Sequence, residues 1–185
     1  MGRGGTVLGI IGIILSAGAI GFTFVVWNGQ KTTNNLTRTN VVGVWDALND
    51  NQDFAPYNLQ RDWLLEFRDS SLNNTDYISV SNTNTRIKLL KSGWYRIHLS
   101  VLLVGMSPDR SYRMRILKDG AIEFDLDFYE TALTLVSIYH TIDSSAFVYS
   151  DGTNFIEIRG YSSSDDFSVP PNDLNNQLTI EFVTM

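Results

Sequence analysis

The chain has 185 residues, enough for one domain whose core is large enough to fold without disulfides, and it contains no cysteine. Twenty acidic side chains against fourteen basic ones give a formal net charge of −6, and an acidic surface repels phosphate, which argues against nucleic acid as a partner. Cysteine usage leaves the compartment open, because secreted and cytosolic proteins of this size can both dispense with disulfides.

The first element is apolar. Val7 to Trp27 is a run of 21 residues without a charge, and as a helix it would extend roughly 31 Å, the thickness of a bilayer core. Residues 1–27 are therefore expected to form a membrane anchor that spans through residues 7–27. Ala17-Gly18-Ala19 has the small-x-small form of a cleavage site and keeps a signal peptide open, although eight further uncharged residues follow it. The short leader MGRGG before an apolar helix also resembles archaeal pilin precursors, whose helices pack into a filament core. Residues 28–40 (NGQKTTNNLTRTN) are polar and aperiodic and read as a linker. Charge on either side of the span does not decide its orientation. Asn35-Leu36-Thr37 and Asn73-Asn74-Thr75 are N-glycosylation sequons, which favours an extracellular C-terminal part with Asn35 and Asn73 as acceptors.

From residue 41 onward no segment has helical periodicity. Short β-branched and aromatic runs alternate with Gly, Asn, Asp, Ser and Pro clusters: VVGVWDAL, DWLLEF, DYISVS, TRIKLL, WYRIHLSVLLVG, SYRMRIL, AIEFDLDFY, ALTLVSIYHTI, SAFVYS, NFIEIRGYS and QLTIEFV. About ten short strands at regular turn spacing predict an all-β, two-sheet antiparallel sandwich or barrel over residues 41–185. Asp50 to Arg61 and Ser162 to Asn176 are loops by composition. Residues 91–101 (KSGWYRIHLSV) carry the clearest pattern: Gly93 ends a turn, then Tyr95, Ile97, Leu99 and Val101 share one face and Trp94, Arg96, His98 and Ser100 the other.

One hairpin can be worked out by register. A two-residue loop, Asp119-Gly120, would set Arg115 against Phe124 and Met114 against Asp125. A three-residue loop, Lys118-Asp119-Gly120 with Gly120 left-handed in a bulge, pairs Arg115 with Glu123, Arg113 with Asp125, Ile116 with Ile122, Met114 with Phe124 and Tyr112 with Leu126. The second register satisfies both faces and is the one expected.

The order of these elements, SGWYRIHLSV, YRMRILKDG, SDGTNFIEI and LTIEFV, resembles the complement globular-head and tumour necrosis factor family of jelly rolls over roughly Val41 to Met185. Gly93-Trp94-Tyr95 matches the family's Gly-x-Tyr, and Lys118-Asp119-Gly120 sits where many members have an Asn-Gly turn. The end of the chain departs from the pattern, with Leu178-Thr179-Ile180-Glu181-Phe182 in place of a Phe-x-Gly-Phe run, and there is no collagen-like stalk. The resemblance implies a ten-stranded, two-sheet jelly roll that assembles as a homotrimer outside the cell. It also implies a role in binding a protein or glycan ligand and no enzymatic activity.

The candidate sites are few. His98 and His140 both fall in expected strands, with no second histidine or carboxylate at ligand spacing, and read as ordinary strand histidines. There is no Gly-x-Ser-x-Gly elbow and no phosphate-binding glycine loop, so no cofactor is expected. Glu123, Asp125 and Asp127 alternate with Phe124, Leu126 and Phe128 and would project from one face, where Arg113 and Arg115 neutralise two of them. Together with Asp165, Asp166 and Asp173 they are a calcium candidate, set against a solvated acidic face. Trp94, Leu102 and Val104 fall opposite the inner series, with His98 beside them, and are the expected subunit interface. The loop Asp50 to Arg61, with Phe54, Pro56 and Tyr57, would cover them instead in a monomer. The reading that follows is a membrane-anchored extracellular jelly roll for recognition or adhesion. The alternative is a structural subunit of a surface filament or coat assembled through its apolar helix.

Overall fold

The computed structural model describes residues 38–46, 48–50, 62–68, 70–81, 83–133, 138–163, 167–171 and 174–184. The apolar segment 7–27, most of the linker, and Phe54, Pro56 and Tyr57 lie outside the described residues. Among the described residues no helix is long and apolar enough to cross a membrane.

The described strands are β1 (Arg38–Asp46), β2 (Asn49–Asp50), β3 (Asp62–Glu66), β4 (Ser70–Asn73), β5 (Ile78–Ser81), β6 (Arg86–Leu89), β7 (Ser92–Met106), β8 (Ser111–Lys118), β9 (Ala121–Glu130), β10 (Ile138–Asp151), β11 (Phe155–Ser162) and β12 (Gln177–Thr184). They form two antiparallel sheets. The first has the order β10-β7-β12-β1-β4. In the second, β11 pairs with β8 on one side, with β6 along its first residues and with β3 along its last; β2, β5 and β9 extend the sheet from these. Most consecutive strands cross from one sheet to the other, as in a jelly roll, while β2–β3, β5–β6 and β8–β9 stay within the second sheet.

The long alternating strand is β7. Tyr95, Ile97, Leu99 and Val101 are fully buried, whereas Trp94 is exposed and Arg96, His98 and Ser100 are half-buried. Facing them from the other sheet are Ile87, Met114, Ile116, Ile156 and Ile158, all in one apolar core with Leu178 and Ile180 of β12. Each such side chain withdrawn from water stabilises the fold by about 1.5–3 kcal/mol.

Gly93 opens this strand at a φ of 149°, and a Cβ there would stand 2.8 Å from the Phe182 ring. That ring packs edge-on against Tyr95 at 5.0 Å and, tilted by 53°, against Tyr77 at 5.1 Å. The Tyr95 hydroxyl accepts from Lys91 N at 3.0 Å and lies 3.2 Å from Tyr77 O and 3.1 Å from Lys91 O, either of which can accept its proton. Burial pushes the Tyr95 phenol above its ordinary value of 10.0, partly offset by the Lys91 amide. The Gly-x-Tyr triplet thus has a physical meaning: the glycine clears space for the aromatic that seats the tyrosine.

Four sequence expectations change. The β8–β9 loop is the two-residue one: Lys118 pairs with Ala121, and Asp119 and Gly120 both have positive φ (52° and 82°), a type I′ turn. Two bulges in β9 then do the work assigned to a longer loop. Leu117 pairs with Ile122, but Ile116 pairs with Phe124, so Glu123 is looped out; Arg115 pairs with Asp125 and Met114 with Asp127, so Leu126 is skipped in turn. Arg115 meets Asp125 at 2.7 Å, and Arg113 reaches the same carboxylate at 3.2 Å.

ALTLVSIYHTI and SAFVYS are not two strands. Ile138 to Asp151 run as the single strand β10 along β7. The polar Ser70–Asn73, with no apolar alternation to betray it, is the edge strand β4. Finally, Ser162 to Asn176 is no bare loop: Phe167 and Val169 are buried, and Ser168 bridges Val104. Trp63 Nε1 donates to Phe167 O at 2.9 Å. Buried Asn176 donates to the carbonyls of Leu48 and Pro170 and accepts from Leu102 N.

Candidate interaction surface

β7 lies between β10 and β12, and the strand registers fix what shares its outward face. Tyr149 stands opposite Trp94, which also pairs with Val183; Phe147 and Glu181 flank Arg96; Ser145 and Thr179 flank His98; Asp143 and Gln177 flank Ser100. One end of the face is therefore aromatic and the middle polar. Trp94 and Tyr149 meet edge-on with centroids 5.5 Å apart, and Arg96 pairs with Glu181 at 3.5 Å beside them.

A second apolar surface lies on β9, at the edge of the other sheet, where Ile122, Phe124 and Phe128 are open. These three, together with Trp94, Phe147 and Tyr149, are between 39% and 57% exposed. Six large side chains in two groups exceed the scatter of single exposed apolar residues that every soluble surface carries.

Towards the other end of β10, at the level of Leu103, a side-chain clasp links β10 to β9. His140 of β10 places Nε2 2.5 Å from Asp127 Oδ2 of β9, and its ring stacks on Tyr129 at 4.0 Å and 11°. Asp127, the carboxylate that the sequence leaves without an arginine, has its partner here.

No family model matches the sequence, and no curated protein matches it. Solved structures do. Murine APRIL crystallised at pH 8.0 and at pH 8.5 superposes with TM-scores of 0.55 and 0.52, at 9% identity, over 78% of this chain and 99% of APRIL. The fold is that of the tumour necrosis factor-like jelly rolls. Eiger TNF from S. frugiperda also matches, at 7% identity and a TM-score of 0.49 over 80% of this chain and 92% of that one.

On this TNF-like frame the expected interface residues separate. Trp94 is open, whereas His98, Leu102 and Val104 are half-buried. His98 lies 3.3 Å from Asp143, and the Val104 end of β7 is flanked by the Ser168 bridge. Phe147 and Tyr149 were not singled out from sequence because Ala146, Val148 and their neighbours make both parities of β10 apolar.

The calcium candidates among the described residues do not converge. Glu123 is exposed at a bulge, Asp125 is held by two arginines and Asp127 by His140; among the described residues no three His, Asp or Glu side chains are grouped to hold a metal. Asp165, Asp166, Asp173 and Asn35 lie outside the described residues. Asn73 is exposed at the end of β4, ahead of the turn at Thr75–Tyr77. At the tip of the β10–β11 turn, Asp151 accepts from the Thr153 hydroxyl and amide at 2.7 and 2.8 Å. Those two bonds hold its carboxyl below the ordinary 3.8.

Proposed function

We propose that this protein is a non-enzymatic, membrane-anchored recognition jelly roll that works outside the cell as a homotrimer and binds a protein or glycan ligand through the trimer's outer surface. The observation that carries the reading is the pair of unlike apolar surfaces on one subunit. Two different patches on the same chain suit a heterologous contact, patch to opposite patch, and such a contact closes into a ring when the rotation permits. The TNF-like fold supports three as the ring number, and the uncharged run 7–27 supports attachment to a membrane. The aromatic end of the sheet face, Trp94, Phe147 and Tyr149, is then the central contact, and β9 with Ile122, Phe124 and Phe128 is the surface it receives. Aromatic residues dominate interface energetics, and truncating one at the centre typically costs about 2 kcal/mol or more.

The test is Phe147→Asp and, separately, Phe124→Asp in the full chain in detergent, with mass read by light scattering. Either substitution is expected to give monomers whose far-ultraviolet circular dichroism is unchanged. Retention of the wild-type mass in both would reject these surfaces and favour assembly through the apolar segment, as a filament or coat subunit.

A further inference from the structure

The His140–Asp127 contact joins strands that no backbone ladder joins. Among the described strands β9 pairs only with β8 and β10 only with β7, so this flank of the sandwich, where the two sheets meet at their edges, is held by side chains. The histidine is well placed for that. Its nitrogen is 2.5 Å from the carboxylate, its ring lies flat on Tyr129, and the two side chains are only 24% and 29% exposed. The register of β10 against β7 shifts between Ile138 and His140, and that irregularity sets the residue's position along the strand. Next to Asp127 on β9, Phe128 carries the Arg113 guanidinium over its ring at 4.4 Å, and Arg113 is itself held by Asp125. The clasp is therefore continuous with the residues that shape the β9 surface. Its other end is on the strand that carries Phe147 and Tyr149.

We infer that His140 is a positioning residue for assembly: by clasping Asp127 over Tyr129 it fixes the placement of β9 relative to β10, and so of the two apolar surfaces that a closed ring must bring into register. A ring tolerates little angular error, because each subunit repeats it. The inference rests on the trimer reading above and adds to it a residue that lies on neither contact surface.

The experiment measures the dissociation constant of the full-chain assembly in detergent by dilution, for the wild type, His140→Ala, Asp127→Ala and the conservative His140→Gln, whose amide can still donate to Asp127. The alanine variants are expected to weaken assembly by about tenfold or more, as for a lost charge-assisted hydrogen bond, with His140→Gln recovering most of the loss. Near-ultraviolet circular dichroism should stay native throughout. Should His140→Ala fail to fold, Asp127→Asn and Tyr129→Leu carry the test, because each weakens the clasp from its other side. Assembly unchanged within twofold in folded variants would overturn the role of the clasp while leaving the trimer intact. A monomeric wild type would overturn both readings at once.

Discussion

Replacing Gly93 by alanine tests the link between the Gly-x-Tyr triplet and the core. Two costs are added. At a φ of 149° a side chain is strained, which costs of order 1–3 kcal/mol. The new methyl would also stand 2.8 Å from two carbons of the Phe182 ring, and that ring has Tyr95 and Tyr77 against it, so it cannot swing away freely. Overpacking of this kind costs typically about 1–3 kcal/mol. Together they predict a loss of about 2–6 kcal/mol out of a total stability of about 5–15 kcal/mol. For a domain of this size that is a fall in Tm of about 4–24 °C. The assay is urea unfolding followed by tryptophan fluorescence, with the Gly93→Ala, Phe182→Leu double variant completing a cycle. Phe182→Leu is expected to be less damaging in the alanine background than in the wild type. A loss under about 0.5 kcal/mol for Gly93→Ala, the range of ordinary surface changes, would show that Phe182 does not depend on the missing Cβ.

Titration gives two further tests with opposite signs. Because burial raises the Tyr95 phenol above 10.0, its share of stability is complete below pH 10 and is lost as pH rises through the folded value. Tyr95→Phe should flatten that alkaline decline and cost about 0.5–1.5 kcal/mol at neutral pH for the lost hydroxyl bonds. A decline of equal steepness in the variant would assign it to other groups. Asp151 behaves conversely: with its carboxyl held below 3.8 by Thr153, its contribution is present above that value and fades as pH falls through the lower folded one. Asp151→Asn should therefore lose stability at neutral pH and narrow the gap to wild type in acid, which chemical denaturation at pH 3 and pH 7 would reveal. Expression through a eukaryotic secretory pathway should add an endoglycosidase-sensitive mass that Asn73→Gln removes in part; no change on that substitution would place Asn73 out of reach of the transferase.

The strand that could be read best from sequence was β7, because its two parities differ in chemistry: Tyr95, Ile97, Leu99 and Val101 all fall on one, and a one-residue slip would bury Arg96. Trp94 stood out as an apolar residue on the outward face for the same reason, and it is exposed. β10 lacks that contrast. With apolar residues on both parities, nothing set the aromatic Phe147 and Tyr149 apart from their neighbours, and the strand itself appeared as two. The β8–β9 hairpin failed differently. The requirement that Arg115 oppose a carboxylate was right, but a single loop length was asked to meet it. The chain instead uses the favoured type I′ turn and corrects register with bulges at Glu123 and Leu126, which no alternation pattern announces. β4 and the buried Phe167 and Val169 depend on partners far away in sequence. His140 and Asp127, 13 residues apart on strands of different sheets, could be joined only once the crossing between sheets was known.

The central claim is that the jelly roll itself assembles. Residues Thr39–Thr184 form one compact unit with its own core, so light scattering coupled to size exclusion on a chain beginning at residue 28 measures it directly. Three times the mass of one chain is expected, independent of calcium chelation. A single-chain mass at every concentration would contradict it and move assembly to the apolar segment.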